Sequence, residues 1–84
     1  MDVANTPLAE RIARALAGLD HSVNADGVEA SASTSVDETW RAYLEQADAV
    51  LRTMREPSEA MARSGDPGAW AAMIEAAIEE SEAL

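Results

Sequence analysis

Four glutamates near the end of the sequence are spaced in a way that could do chemistry. Glu75, Glu79, Glu80 and Glu82 crowd together, and three- and four-residue steps place Glu75, Glu79 and Glu82 on one face of a helix. Stacked carboxylates can chelate a cation or present a ladder of negative charge. Carboxylate-bridged metal sites in helical bundles also need histidines three residues after a glutamate on two helices. No histidine follows His21, so a solvated helix face is the simpler reading and no metal is expected.

The other reactive residue types lead to equally sparse chemistry. His21 stands alone, with only Asp20 and Ser22 beside it and no second motif to make a nucleophile or an acid–base pair. Ser22-x-Asn24-x-Asp26-Gly27 has the first half of a calcium-loop pattern, but the twelfth position is Ser33 where a bidentate glutamate is required. Arg52, Arg55 and Arg63 could hold a carboxylate or phosphate. Each lies near acids, and pairing within the helix accounts for them more simply. Phosphate-cradling glycine loops and nucleophile elbows are absent from the sequence, and the four glycines mark turns. No catalytic residue and no cofactor is expected, and the chain reads as a non-enzymatic protein.

Charge narrows the partners. Sixteen acids face six arginines, giving a net charge of -10, and no lysine is present. After Arg63 every charged residue is acidic. Contact with nucleic acid requires phosphates to be neutralised by Lys and Arg, so direct nucleic-acid binding and binding to anionic membranes are not expected. A basic partner is compatible with this charge through electrostatic steering. There is no cysteine, hence no disulfide scaffold or thiolate chemistry. With no secretory leader visible and no apolar run near the ~20 residues of a membrane span, the expected location is cytoplasmic.

The elements that must position these residues are helical. Thr6-Pro7 signals a helix start, with Thr as N-cap and Pro at N1. Leu8, Ile12, Ala15, Leu16 and Leu19 then form an apolar stripe, predicting a helix over about 7–19. Ser35-Val36-Asp37-Glu38 fits a capping box, followed by Trp40, Leu44, Ala47, Leu51 and Met54 on one face, widened by Tyr43 and Val50. Asp37/Arg41, Asp48/Arg52 and Glu59/Arg63 are expected as i,i+4 ion pairs. Pro57 must end or kink the second helix, leaving a short segment over about 57–64 stopped by Gly65. Asp66-Pro67 starts a last helix over about 67–82, with Trp70, Met73, Ile74, Ala77 and Ile78 on one face. Its acidic last turn should fray unless a cation or a partner meets it. Between the first two helices, residues 20–36 lack helical period and read as a flexible loop, with a small hairpin around Asn24–Gly27 conceivable.

The expected fold is therefore all-α: one domain over 1–84, with three helices, a short kinked fourth segment, a frayed terminus over 1–6 and a flexible loop over 20–36. The core is expected from Leu8, Ile12, Leu16, Leu19, Trp40, Tyr43, Leu44, Ala47, Leu51, Met54, Met61, Trp70, Met73, Ile74 and Ile78, with Met54, Met61 and Met73 read as core filler in preference to an adaptable binding surface. Trp40 and Trp70 should pack together at its centre. That core is thin: 19 residues are Ala, only 14 are Leu, Ile or Val, and Phe is absent.

The segment from Met54 to Met61 (MREPSEAM), with Trp40 upstream and Trp70-Ala71-Ala72-Met73-Ile74 downstream, resembles short uncharacterised proteins from phages and alphaproteobacteria that share a W…MREP-T/S-EAM…W-x-x-MI pattern over about residues 37–80. The resemblance implies a recurring, phage-associated helical module and transfers no site residues. The functional expectation is a protein-interaction module with a protein partner, a second copy of the chain being one candidate. The interaction surface is sought among Glu75, Glu79, Glu82, Trp70 and Trp40. The alternative is an inhibitor, encoded by a phage or mobile element, whose acidic ridge mimics nucleic acid before a basic partner.

Overall fold

A computed structural model describes residues 3–24 and 35–84, with side chains for 3–21 and 35–84. The described residues form helices and no strand. Helix α1 is Leu8–Asn24. Helix α2 runs over residues 35–54, its two α-helical parts joined by a 3₁₀ turn at Trp40–Tyr43, and its second part is Leu44–Met54. The short α3 is Glu59–Ser64 and α4 is Pro67–Glu82. The all-α expectation holds, with three principal helices and a short fourth.

The start signals act unequally. At α4, Asp66 caps as expected: its Oδ1 accepts from the N–H groups of Gly68 at 2.9 Å and Ala69 at 3.2 Å, with Pro67 first in the helix. At α1 the helix begins one residue later than expected. The Pro7 carbonyl accepts the first helical bond, from Arg11 N–H at 3.1 Å, so Pro7 takes the cap position. Thr6 contributes its own carbonyl to Arg11 Nε. At α2 helical backbone is already present at residue 35, so Ser35 lies inside the helix instead of capping it. Its carbonyl accepts from Thr39 Oγ1. At α3, Ser58 is the N-cap and accepts from Met61 N–H at 3.3 Å.

The loop expected over 20–36 is shortened from both ends. Helix α1 continues through Asp20 and His21 to Asn24, and α2 includes 35 and 36. Ser22 and Asn24 of the calcium-like pattern are in α1; positions 25–34, with the rest of that pattern and of the hairpin around Asn24–Gly27, lie outside the described residues, as do the first two positions of the expected frayed terminus.

Helix α2 is the spine of the bundle, contacting both α1 and α4, while α1 also touches α4. Trp70, at the start of α4, bonds to Met54 at the end of α2, and Leu84 bonds to Arg41 near its start. The two tryptophan-bearing helices are therefore antiparallel neighbours, as their short connection implied. Helix α3 has no buried residue and touches the other helices only sparsely.

The core divides in two. Ala9, Leu51, Ile74, Ala77 and Ile78 form one cluster, flanked by Trp70 and Met54. Ala13, Ala17, Trp40 and Ala47 form the other, flanked by Tyr43 and Val36. Ile12, Leu44 and Leu84 pack against both. Trp40 and Trp70 thus sit in separate clusters and do not form a joint centre. Trp40 sits among Ala13, Ala17 and Ala47, whose small volume leaves room for one indole at close packing.

The buried line of α1 is Ala9, Ala13 and Ala17, all fully buried, and not the leucine stripe. Ile12 and Leu16 are half-buried at its edge, Ala15 is exposed, and Leu19 is 64% exposed. The inward face is rotated by about a third of a turn from the aliphatic one. Small residues let the α1 and α2 backbones approach closely, and Trp40 fills the space that the alanines leave. Met61 and Met73, expected inside, are exposed instead.

Candidate functional site

Each candidate residue has a definite place. Trp40 is 6% exposed, with Arg14 and Arg41 over its ring at 5.1 Å and 4.4 Å from the centroid. It is a core residue and is not available as an interface anchor. Arg14 is held by Glu10 at 2.8 Å and Asp37 at 2.7 Å. These two hydrogen-bonded carboxylates, Glu10 first, raise its pKa. Arg41 donates to the Leu84 main-chain oxygen at 2.7 Å. The cation that meets the acidic end of α4 therefore comes from α2.

The expected Asp37/Arg41 pair is replaced by these partners because a 3₁₀ turn follows residue 39 and takes Arg41 out of α-helical register with Asp37. The Asp48/Arg52 pair forms at 2.8 Å. Glu59 and Arg63 are not among the ion pairs of the described residues.

The glutamate ridge splits. Glu75 pairs with Arg55, the residue just past the end of α2, at 2.7 Å. Arg52 also lies in the field of Glu82 and Glu75; with its bond to Asp48 as the larger cause, its pKa is raised. Glu79, Glu80 and Glu82 are exposed. Among the described residues, no three His, Asp or Glu are grouped so as to hold a metal ion.

His21 lies in the last turn of α1, not beyond its end. Its Nε2 is 3.0 Å from Thr39 Oγ1. Thr39 gives its single proton to the Ser35 carbonyl, so His21 Nε2–H is the donor and Thr39 the acceptor. Alongside, the Tyr43 hydroxyl donates to Asp20 Oδ2 at 2.7 Å. These bonds tie α1 to α2 and leave the Thr39 hydroxyl without a base to activate it.

The notable surface lies at the other end of the molecule. Trp70, half-buried, donates Nε1–H to the Met54 carbonyl at 2.6 Å. Next to it Met73 is 69% exposed and Met61 on α3 is 45% exposed. A cleft of about 490 Å³ opens between α3 and the first turns of α4, lined by Pro57, Ala60, Met61, Trp70 and Met73 among others. A second cleft of about 360 Å³ lies on the opposite side of Trp70 and Met73, against Val3, Pro7, Leu8 and Glu80. Trp70 and Met73 form the ridge shared by both.

The polar groups of the first cleft are largely occupied. Asp66 Oδ1 caps α4, and the Ser64 hydroxyl donates to the Ala60 carbonyl at 3.0 Å. What the cleft offers a ligand is apolar contact on aromatic and thioether surface. Sequence reasoning reached Trp70 but placed Met61 and Met73 inside. No local signal separated them: Ala77 and Ile78, also adjacent and about 100° apart, are both buried on the same helix.

The fold and site define a small all-α domain with an apolar double cleft at one end and acidic helix faces. No protein-family model matches the chain, and neither a curated protein nor a solved structure does. No helix among the described residues is long and apolar enough to cross a membrane.

Proposed function

We propose that this chain is a non-enzymatic protein-interaction module that docks its partner on the Trp70–Met73–Met61 surface. The supporting observation is the exposure of two methionines around a half-buried, hydrogen-bonded tryptophan between two clefts. Tryptophan is favoured as an interface anchor, and methionine gives an adaptable apolar surface. Helix α3 adds a second reason. It has six residues and buries none of them; helices this short are marginal in water, and a partner would supply the burial it lacks.

Mimicry of nucleic acid by the Glu75–Glu79–Glu82 ridge is the less favoured reading, because Arg55 already neutralises its first member. A second copy of the chain is disfavoured as partner at low salt, since each copy carries -10.

Affinity purification from the native host, comparing wild type with Met73→Glu and Glu79→Gln, tests the reading. A stoichiometric partner should be retained by wild type and Glu79→Gln and lost by Met73→Glu. Retention by all three would remove the docking surface. Light scattering at high concentration tests the self-association variant.

A further inference from the structure

Resting on that reading, we infer that the occupant of the double cleft is a basic amphipathic helix, with apolar side chains from successive turns straddling the Trp70–Met73 ridge. The described residues present no strand edge, and the cleft's lining polar groups are largely engaged within the protein. A bound segment must therefore satisfy its own backbone N–H and C=O groups, which a helix does internally. Side chains three or four residues apart on a helix stand about 5–6 Å from each other, a spacing suited to clefts on two sides of one ridge.

Charge selects the other face of the occupant. Asp66 lines the first cleft and Glu80 the second, and α4 carries Glu75, Glu79, Glu80 and Glu82 with no basic residue. Arg11 lines the second cleft with its Nε bonded to the Thr6 carbonyl, and its charge offsets Glu80 there, so the acidic excess comes from the remaining α4 glutamates. The field around the ridge is set by a chain of net charge -10, so Lys and Arg flanking an apolar stripe are attracted and acidic flanks repelled.

The test uses the full chain and synthetic amphipathic peptides of about 15 residues. One has leucines at i, i+3, i+4 and i+7 with lysines elsewhere. A second has glutamates in place of the lysines, and a third has serines in place of the leucines. Binding is read by NMR from the two indole N–H signals and the methionine methyls.

The lysine peptide should shift the Trp70 indole and the Met61 and Met73 methyls while leaving the Trp40 indole in place. It should bind at least about tenfold more tightly than the glutamate peptide at low salt, with the difference shrinking as salt rises. Met73→Glu should abolish the shifts of the Met61 methyl and the Trp70 indole with Trp40 unmoved, which shows that the fold is intact. Equal binding of the glutamate peptide would overturn the basic occupant while leaving the docking surface standing. Equal binding of the serine peptide would overturn the apolar anchoring. If no peptide moves Trp70 or Met73, the inference fails, and the docking surface is then judged by the Met73→Glu purification alone.

Discussion

Trp70 Nε1 donates to the Met54 main-chain oxygen over 2.6 Å, joining the first turn of α4 to the last turn of α2. Carbonyls at a helix C-terminus lack intrahelical partners, so the indole satisfies a group that the helix cannot. The bond also sets the indole's orientation, which places one ring between the two clefts.

Trp70→Phe keeps most of the ring and removes the donor. The part-buried Met54 carbonyl is then without its partner, at a cost of about 1 kcal/mol. For a domain of this size that corresponds to a fall in Tm of roughly 4–8 °C, measurable by circular dichroism. An unchanged Tm would show that the hydrogen bond is dispensable to the α2–α4 junction.

Ala13 and Ala15 separate the buried face of α1 from the face its leucines suggest. Ala13 is fully buried between α1 and α2, while Ala15 faces solvent. Ala13→Leu should destabilise by about 1–3 kcal/mol through overpacking, and Ala15→Leu should stay within about 0.5 kcal/mol of wild type. Urea denaturation of the pair reads the difference directly, and the reverse order would place the leucine stripe inward.

Gly18 is a helix-interior glycine with room for a methyl group. A Cβ there would meet Val36 Cγ2 at 3.7 Å, an ordinary contact. Gly18→Ala should raise stability by about 0.5–1 kcal/mol, because alanine loses less backbone entropy in a helix. Chemical denaturation with an unchanged m-value is the expected signature.

Tyr43 and Asp20 make the fold sensitive to alkali. The carboxylate that accepts the Tyr43 hydrogen bond, aided by desolvation and by its own charge, holds the phenol above its ordinary value of 10.0. Raised in the folded state, this group contributes stability that is full below pH 10.0 and is lost as pH rises through the folded value. Phenolate absorbance should therefore titrate above 10.0 in the folded protein, and Tyr43→Phe should flatten the loss of stability with pH in that range. An ordinary midpoint would remove the bond from solution.

The two classes of arginine pair should respond differently to truncation. Arg55 and Glu75 are both over 40% exposed, so their double-mutant coupling should not exceed about 1 kcal/mol and should fade in salt. Arg14 touches Glu10, Asp37 and the face of Trp40, the indole of the second cluster. Arg14→Ala should lower Tm more than Arg55→Ala, with the excess persisting at high salt because it comes from packing.

Local chemistry made much of this architecture legible. Asp66-Pro67 started α4 where its capping pattern indicated, Pro57 ended α2, and the Trp40–Leu51 stripe marked the spine, because caps, proline and helical period act within a few residues of chain. The charge asymmetry after Arg63 was equally visible.

The tertiary structure alone decided which face of α1 turns inward, that the tryptophans part company, and that Met61 and Met73 remain outside. Hydrophobicity ranks leucine above alanine at every position, yet the distance between two helices is set by the smallest residues that can line it. A bulky indole at residue 40 is accommodated by alanines at 13, 17 and 47, a matter of volume between residues on different helices. The docking surface follows from the same accounting of space, since its methionines are among the apolar residues left exposed once the alanine-lined interface has closed.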